Sequence, residues 1–120
     1  MIVGIGVDLV DLPRFLRTLE RTPALRERLF TPAERELTGR SLAGRFAAKE
    51  ALIKALGGSE DVFWQEIEVL GDSSGAPILT TSGSTNRRLA ERGIESVHLS
   101  ISHDGDAAIA FVVAEGGGPR

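Results

Sequence analysis

The chain has 120 residues, 42% of them hydrophobic and 26% charged, with a formal net charge of −3. That is ordinary globular composition for one domain, and no stretch is apolar enough to supply the ~20 residues of a membrane span. The absence of cysteine excludes a disulfide framework and a thiol nucleophile, while five Phe, one Trp and no Tyr on an acidic chain make a poor profile for a nucleic-acid binder.

Residues 2–10 are apolar with two glycines and read as a buried strand ending near Asp8. Asp11-Leu12-Pro13 is a helix start, with Asp11 as cap, and the helix runs to Glu20 or Arg21. Pro23 opens a short helical piece carrying Leu25 and Leu29, and Thr31-Pro32 starts another with Thr31 as cap. A long central helix is predicted over 41–56, stopped by Gly57-Gly58. The period then changes. Ile67 and Val69 alternate with Glu66 and Glu68, Asp72-Ser73-Ser74-Gly75 is turn chemistry, and 78–81 forms the return strand. Residues 84–92 read as a helix with Leu89 and Ala90 inward. Val97, Leu99 and Ile101 alternate with His98, Ser100 and Ser102, and Asp104-Gly105 signals a hairpin to a partner strand over 107–114. The predicted fold is α+β: an antiparallel sheet packed against a long central helix, one domain over 1–115, with a flexible Gly-rich tail at 116–120. The N-terminus lacks the layout of a secretory signal, so cytoplasmic residence is the default expectation.

The two lysines of the chain, Lys49 and Lys54, both lie on the central helix, whereas every other basic side chain is one of twelve arginines. At 3.6 residues per turn, Leu42, Phe46, Ile53 and Leu56 form one stripe. Arg45 and Lys49 flank it on one side, and Glu50 and Lys54 on the other, close enough to pair at i, i+4. Ala43, Ala47 and Ala51 lie beside Glu50 and Lys54, where a surface helix shows long polar side chains. Something packs closely there, whether backbone, another subunit or a ligand.

The run Arg45-Phe46-Ala47-Ala48-Lys49-Glu50-Ala51-Leu52 with Lys54-Ala55-Leu56-Gly57 resembles the central helix of holo-acyl-carrier-protein synthases, the small 4'-phosphopantetheinyl transferases. Gly4-Ile5-Gly6-Val7-Asp8 is similar to that family's first strand, and Leu99-Ser100-Ile101-Ser102-His103 to its Ser-aliphatic-Ser-His segment. Phe30-Thr31-Pro32-Ala33-Glu34 and Gly75-Ala76-Pro77 fit the pattern between them, so the resemblance covers nearly the whole chain. It implies transfer of 4'-phosphopantetheine from coenzyme A to a serine of apo acyl carrier protein, releasing adenosine 3',5'-bisphosphate, with Mg²⁺ as cofactor.

From the residues alone, Asp8 is either a turn residue or one of two carboxylates, with Glu50, that hold a Mg²⁺ ion. The resemblance implies the second. Glu50 is then the base directly, or orients a metal-bound water that serves as one. Lys54 is either an ion-pair partner of Glu50 or a charge on the transferring phosphate. The resemblance thus gives Asp8, Glu50 and Lys54 as catalytic residues, Asp8 and Glu50 as metal ligands, and Arg45, Lys49, Lys54 and His103 as binding residues for coenzyme A. His98 reads as structural. Asp104 either assists a proton transfer or makes the turn.

Residues 11–45 carry eight arginines against five acids, so this segment is basic on an acidic protein. Arg14, Arg17 and Arg21 lie on one face of the first helix, either as a solvated face or as the docking surface for an acidic carrier protein. So short a chain has little surface for a deep pocket of its own. With the apolar run over 107–113, this leads to an expected homotrimer with active sites at subunit interfaces, as the resemblance implies. Neither nucleic acid nor membrane is expected as a partner. The rival readings are a Mg²⁺-dependent nucleotide phosphohydrolase and a non-catalytic adaptor for an acidic protein.

Overall fold

Strand β1 (Ile2–Asp11) lies flat on the central helix, α3 (Gly39–Ala55), because two of its helix-facing positions are glycine. A Cβ on Gly4 would stand 2.0 Å from the Ala55 carbonyl oxygen, and one on Gly6 1.8 Å from that of Ala51. The helix answers with Ala47, Ala48, Ala51 and Ala55, all buried. Backbone is therefore what packs against much of the alanine run. The structure, a computed structural model, describes residues 1–117.

The strand feeds helix α1 (Leu12–Arg21), where the Asp11 carboxylate accepts from Arg14 N at 3.0 Å as expected of a cap. Its apolar stripe, Leu12, Phe15 and Leu19, is buried. Helix α2 (Ala24–Leu29) and a 3₁₀ turn (Glu34–Glu36) follow. Helix α3 begins two residues earlier than the sequence suggests, because Thr38 caps it by accepting from Ser41 N. It ends in a Schellman motif: Gly58 N donates to Ile53 O, Gly57 N to Lys54 O, and Gly57 takes a φ of 81°.

A 3₁₀ turn (Trp64–Glu66) leads to the hairpin β2 (Ile67–Gly71) and β3 (Pro77–Thr81). Its connection is built on Asp72, whose Oδ1 accepts from Ser74 N and Ala76 N. Helix α4 (Gly83–Glu91) then starts on the Glu66 carboxylate, which takes the amides of Ser84 and Thr85. Leu89 is buried, but Ala90 is exposed, contrary to the expectation from the sequence.

Strands β4 (Ile94–Asp104) and β5 (Ala107–Gly116) form the predicted hairpin about Gly105. The main sheet has the order β1-β5-β4, antiparallel throughout, and β2-β3 is a separate two-stranded sheet. The α+β expectation holds, with two sheets in place of one. The last strand runs further than expected: Gly116 belongs to it and its N donates to Met1 O. Of the rest of the predicted tail, Gly117 is exposed beyond the strand and residues 118–120 lie outside the described residues.

The two faces of the main sheet differ. Ala108, Ala110, Val112 and Ala114 of β5 are buried beneath α3. On the outer face Ile5, Val7 and Leu9 of β1 stand beside Ile109 and Phe111 of β5, each at least 40% exposed. The unbroken apolar run over 107–113 is thus explained: every second residue feeds the core and the others make an exposed apolar surface.

Candidate active site

Side-chain alternation puts Asp8 on the same face of β1 as Gly4 and Gly6, toward α3. There it meets Glu50 and Lys54. Asp8 and Glu50 both line a cavity of about 460 Å³, together with Arg14 and the apolar side chains of Val10, Phe15, Leu25, Leu29 and Phe46. Lys54 Nζ lies 3.0 Å from Asp8 Oδ1 and donates also to Val7 O at 3.0 Å. The sequence placed Lys54 beside Glu50 at i, i+4; its ion pair is made with Asp8 across the helix–strand junction. Lys54 remains more than half exposed, so it is free to turn toward a ligand.

The Glu50 carboxyl is shifted from its ordinary value. Burial raises its pKa, the neighbouring Asp8 raises it further, and Lys54 partly opposes both. Two carboxylates sharing one partly buried site repel each other, which is the condition that a divalent cation relieves. Both are hard oxygen donors of the kind Mg²⁺ prefers, and Mg²⁺ takes its remaining ligands from water and phosphate. Among the described residues no third His, Cys, Asp or Glu joins them.

The remaining expected site residues lie elsewhere. His103 is on β4, at the sheet edge opposite β1, about two strand spacings or ~10 Å away along the sheet. Its Nε2 donates to Arg40 O at 3.0 Å, and it packs on Gly44, where an added Cβ would come within 3.1 Å of the ring. Arg45 lies on the flank of α3 away from Glu50, and its Nε donates to Val69 O at 3.2 Å. Asp8, Glu50 and Lys54 therefore form one group, and Arg45 and His103 border the other side of the same helix. Asp104 is exposed at the hairpin turn. His98 is on the outer face, where its Nε2 pairs with Glu115 at 2.9 Å. Arg14, Arg17 and Arg21 are exposed on α1.

Lys49 corrects an expectation. The resemblance gives it to coenzyme A with Arg45, but its side chain is fully buried in an ion pair with Glu34 at 2.7 Å. Its other two hydrogens go to Leu29 O at 2.8 Å and Trp64 O at 3.1 Å, which leaves none for a phosphate. Glu34, which the sequence shows only as part of the Phe30–Glu34 segment and without a role, accepts from Thr31 N through Oε1 and from Val69 N through Oε2. The pattern Thr31-x-x-Glu34 is a capping box, and it was the available signal that Glu34 turns inward.

Comparison with known proteins matches this arrangement to a class. Residues 4–112 match the family model of the 4'-phosphopantetheinyl transferase superfamily. The chain is 58% identical to a holo-[acyl-carrier-protein] synthase of Clavibacter sepedonicus, covering 98% of this chain and 99% of the relative. Among solved structures, the synthase of Neisseria meningitidis superposes with a TM-score of 0.89 at 38% identity, covering 96% of this chain and 99% of that one. The Helicobacter pylori enzyme, solved in complex with coenzyme A, gives 0.82 at 33% identity, covering 92% and 99%. An antiparallel sheet packed on a long helix is thus the framework of a known group of transferases. The chain belongs to the 4'-phosphopantetheinyl transferase superfamily, and the relatives named here are its holo-acyl-carrier-protein synthases.

Proposed function

We propose that this chain moves the 4'-phosphopantetheine group of coenzyme A onto a serine of apo acyl carrier protein, using Asp8, Glu50 and Lys54. The observation that carries the assignment of residues is the meeting of two carboxylates, Asp8 and Glu50, on a single cavity, with the half-exposed Lys54 ammonium paired to the first of them. The serine oxygen bonds to the β-phosphorus of coenzyme A, and the bond from that phosphorus to the bridging oxygen breaks. Adenosine 3',5'-bisphosphate leaves. Glu50 takes the hydroxyl proton, directly or through a water, and its raised pKa suits it to that task. Lys54 turns from Asp8 to the phosphate, where a fixed positive charge favours the transition state.

Asp8 and Glu50 are the residues that would hold Mg²⁺, which supplies neutralisation of pyrophosphate charge. Arg45 and His103 would bind coenzyme A, but from the far side of α3. That separation supports a homotrimer in which one copy brings Asp8, Glu50 and Lys54 and its neighbour brings Arg45 and His103. The exposed apolar outer face, a patch of the kind that marks contact surfaces, supplies surface for such assembly. The arginines of α1 dock the acidic carrier, and the cytoplasm is the expected compartment. Among the described residues no helix is long and apolar enough to cross a membrane.

The test is to incubate the protein with coenzyme A, Mg²⁺ and apo carrier protein and to weigh the carrier. A gain of one phosphopantetheine is expected. Phosphate release without a change in the carrier would point to hydrolysis, and binding without reaction to an adaptor. Light scattering coupled to size exclusion tests the assembly: a fully active monomer would refute the shared site.

A further inference from the structure

Helix α2 is six residues long and has no side-chain cap at its start, so its place is not fixed by its own stability. Side chains from other segments hold its C-terminal carbonyls. Arg35 Nη2 donates to Glu27 O at 2.8 Å, Gln65 Nε2 to Phe30 O at 2.8 Å, and Lys49 Nζ to Leu29 O at 2.8 Å. The last of these has a consequence for the site. Leu29 lines the cavity shared by Asp8 and Glu50, and so does Leu25 of the same helix. Lys49 itself does not line that cavity, yet it immediately precedes Glu50 on α3. One buried ammonium therefore ties the turn of helix that carries Glu50 to the apolar wall that shares its cavity. Glu34 fixes the ammonium in turn, through bonds that span the 30–36 segment and β2.

We propose that Lys49 and Glu34 are positioning residues for the transfer reaction: their ion pair sets where the Leu25–Leu29 wall stands relative to Glu50. The inference rests on the reading of Asp8 and Glu50 as the reacting centre. A core of this size does not need a buried ion pair to cohere, since apolar side chains of equal volume pack as well or better. What apolar side chains lack is the directed grip on the Leu29 and Trp64 carbonyls. Lys49 thus acts on the geometry of the bound complex. Its loss is expected in kcat more than in the KM for coenzyme A, whose other binding residues lie across α3.

The experiment is steady-state kinetics with coenzyme A and apo carrier protein on the Lys49→Met, Leu25→Ala and Glu50→Gln variants of the full chain. Turnover is normalised to the folded fraction, read by circular dichroism at the assay temperature. Lys49→Met is expected to lower kcat per folded chain about 10- to 100-fold, the scale of a small misplacement, with the KM for coenzyme A within about threefold of the parent. Leu25→Ala, a milder change at a half-buried residue, is expected to show the same split at smaller size. Parental kcat in folded Lys49→Met would overturn the proposal. Should Lys49→Met not fold, parental kcat in Leu25→Ala overturns it instead. Parental turnover in Glu50→Gln would mean that the reacting centre itself was misassigned, a result distinct from an inactive Glu50→Gln beside fully active Lys49→Met and Leu25→Ala.

Discussion

Lys54 is held by two acceptors that belong to β1, the Asp8 carboxylate and the Val7 carbonyl, and more than half of its side chain is in water. An ion pair whose ammonium is half in water contributes on the order of 1 kcal/mol to stability. A charge placed on a phosphate in the transition state is worth far more. Lys54→Ala should therefore leave the melting temperature nearly unchanged and lower turnover by roughly 10²–10³. Near-normal turnover would reduce Lys54 to a surface partner of Asp8. Glu66 makes the opposite case. Its carboxylate accepts from Thr85 and Ser84, through backbone and hydroxyl, which holds its pKa below the ordinary 4.5. A carboxylate with a lowered folded pKa stabilises the fold above 4.5 and loses that contribution as pH falls through the lower value. Glu66→Gln should thus be less stable than the parent at neutral pH. The gap should narrow in melts recorded at successively lower pH below 4.5, and a constant gap would show that the cap acts by shape alone. The residue scale also shows what the sequence concealed. Lys49 and Lys54 are both close to Glu50 along the chain, one beside it and one a turn on, though on opposite flanks of the apolar stripe. What the positions do not tell is which of them is buried: the inward turn of Glu34 decides it, because a buried carboxylate needs a buried cation.

At the scale of elements, the contact between β1 and α3 has no slack. Gly6→Ala would force the strand away from the Ala51 carbonyl, and overpacking of this sort typically costs 1–3 kcal/mol or more. Because Asp8 follows two residues on, the same displacement should also weaken activity. Parallel melts and assays should show both losses together, and an active variant of parental stability would mean the strand has room that the geometry denies. Helix α1 allows a cleaner separation. Arg17 and Arg21 are exposed and do not line the cavity. Reversing both to Glu should raise the KM for carrier protein, leave coenzyme A binding unchanged, and abolish the salt dependence of carrier binding. Equal loss of affinity for both substrates would refute the docking face. Much at this scale was legible in the sequence. The Asp11 cap, the Gly57-Gly58 stop and the Asp72 turn each need one residue type at one place. Sheet membership was not legible, because alternation in 67–69 and 78–81 specifies a hairpin but not which sheet it joins.

For the whole molecule, the apolar outer face and the separation of the candidate groups point in one direction. Ile5, Val7, Leu9, Ile109 and Phe111 give the sheet a second greasy side that α3 does not cover. The apolar run over 107–113 announced that side in the sequence, as did the small size of the chain. The separation of Asp8 from His103 within the chain did not show there. Asp8 and His103 both follow strand-like patterns, and nothing in either pattern says that β5 will lie between their strands.

That intervening strand has a genetic consequence. If each centre takes Glu50 from one copy and His103 from the next, two dead proteins can repair each other. Homotrimers of Glu50→Gln are expected to be inactive, and homotrimers of His103→Ala severely impaired. When the two variants are unfolded together and refolded at equal ratio, about a quarter of the interfaces join an intact Glu50 to an intact His103. Roughly that share of parental activity should return, in proportion to mixing and only after subunits exchange. A mixture that stays as inactive as its components would place the whole centre within a single chain.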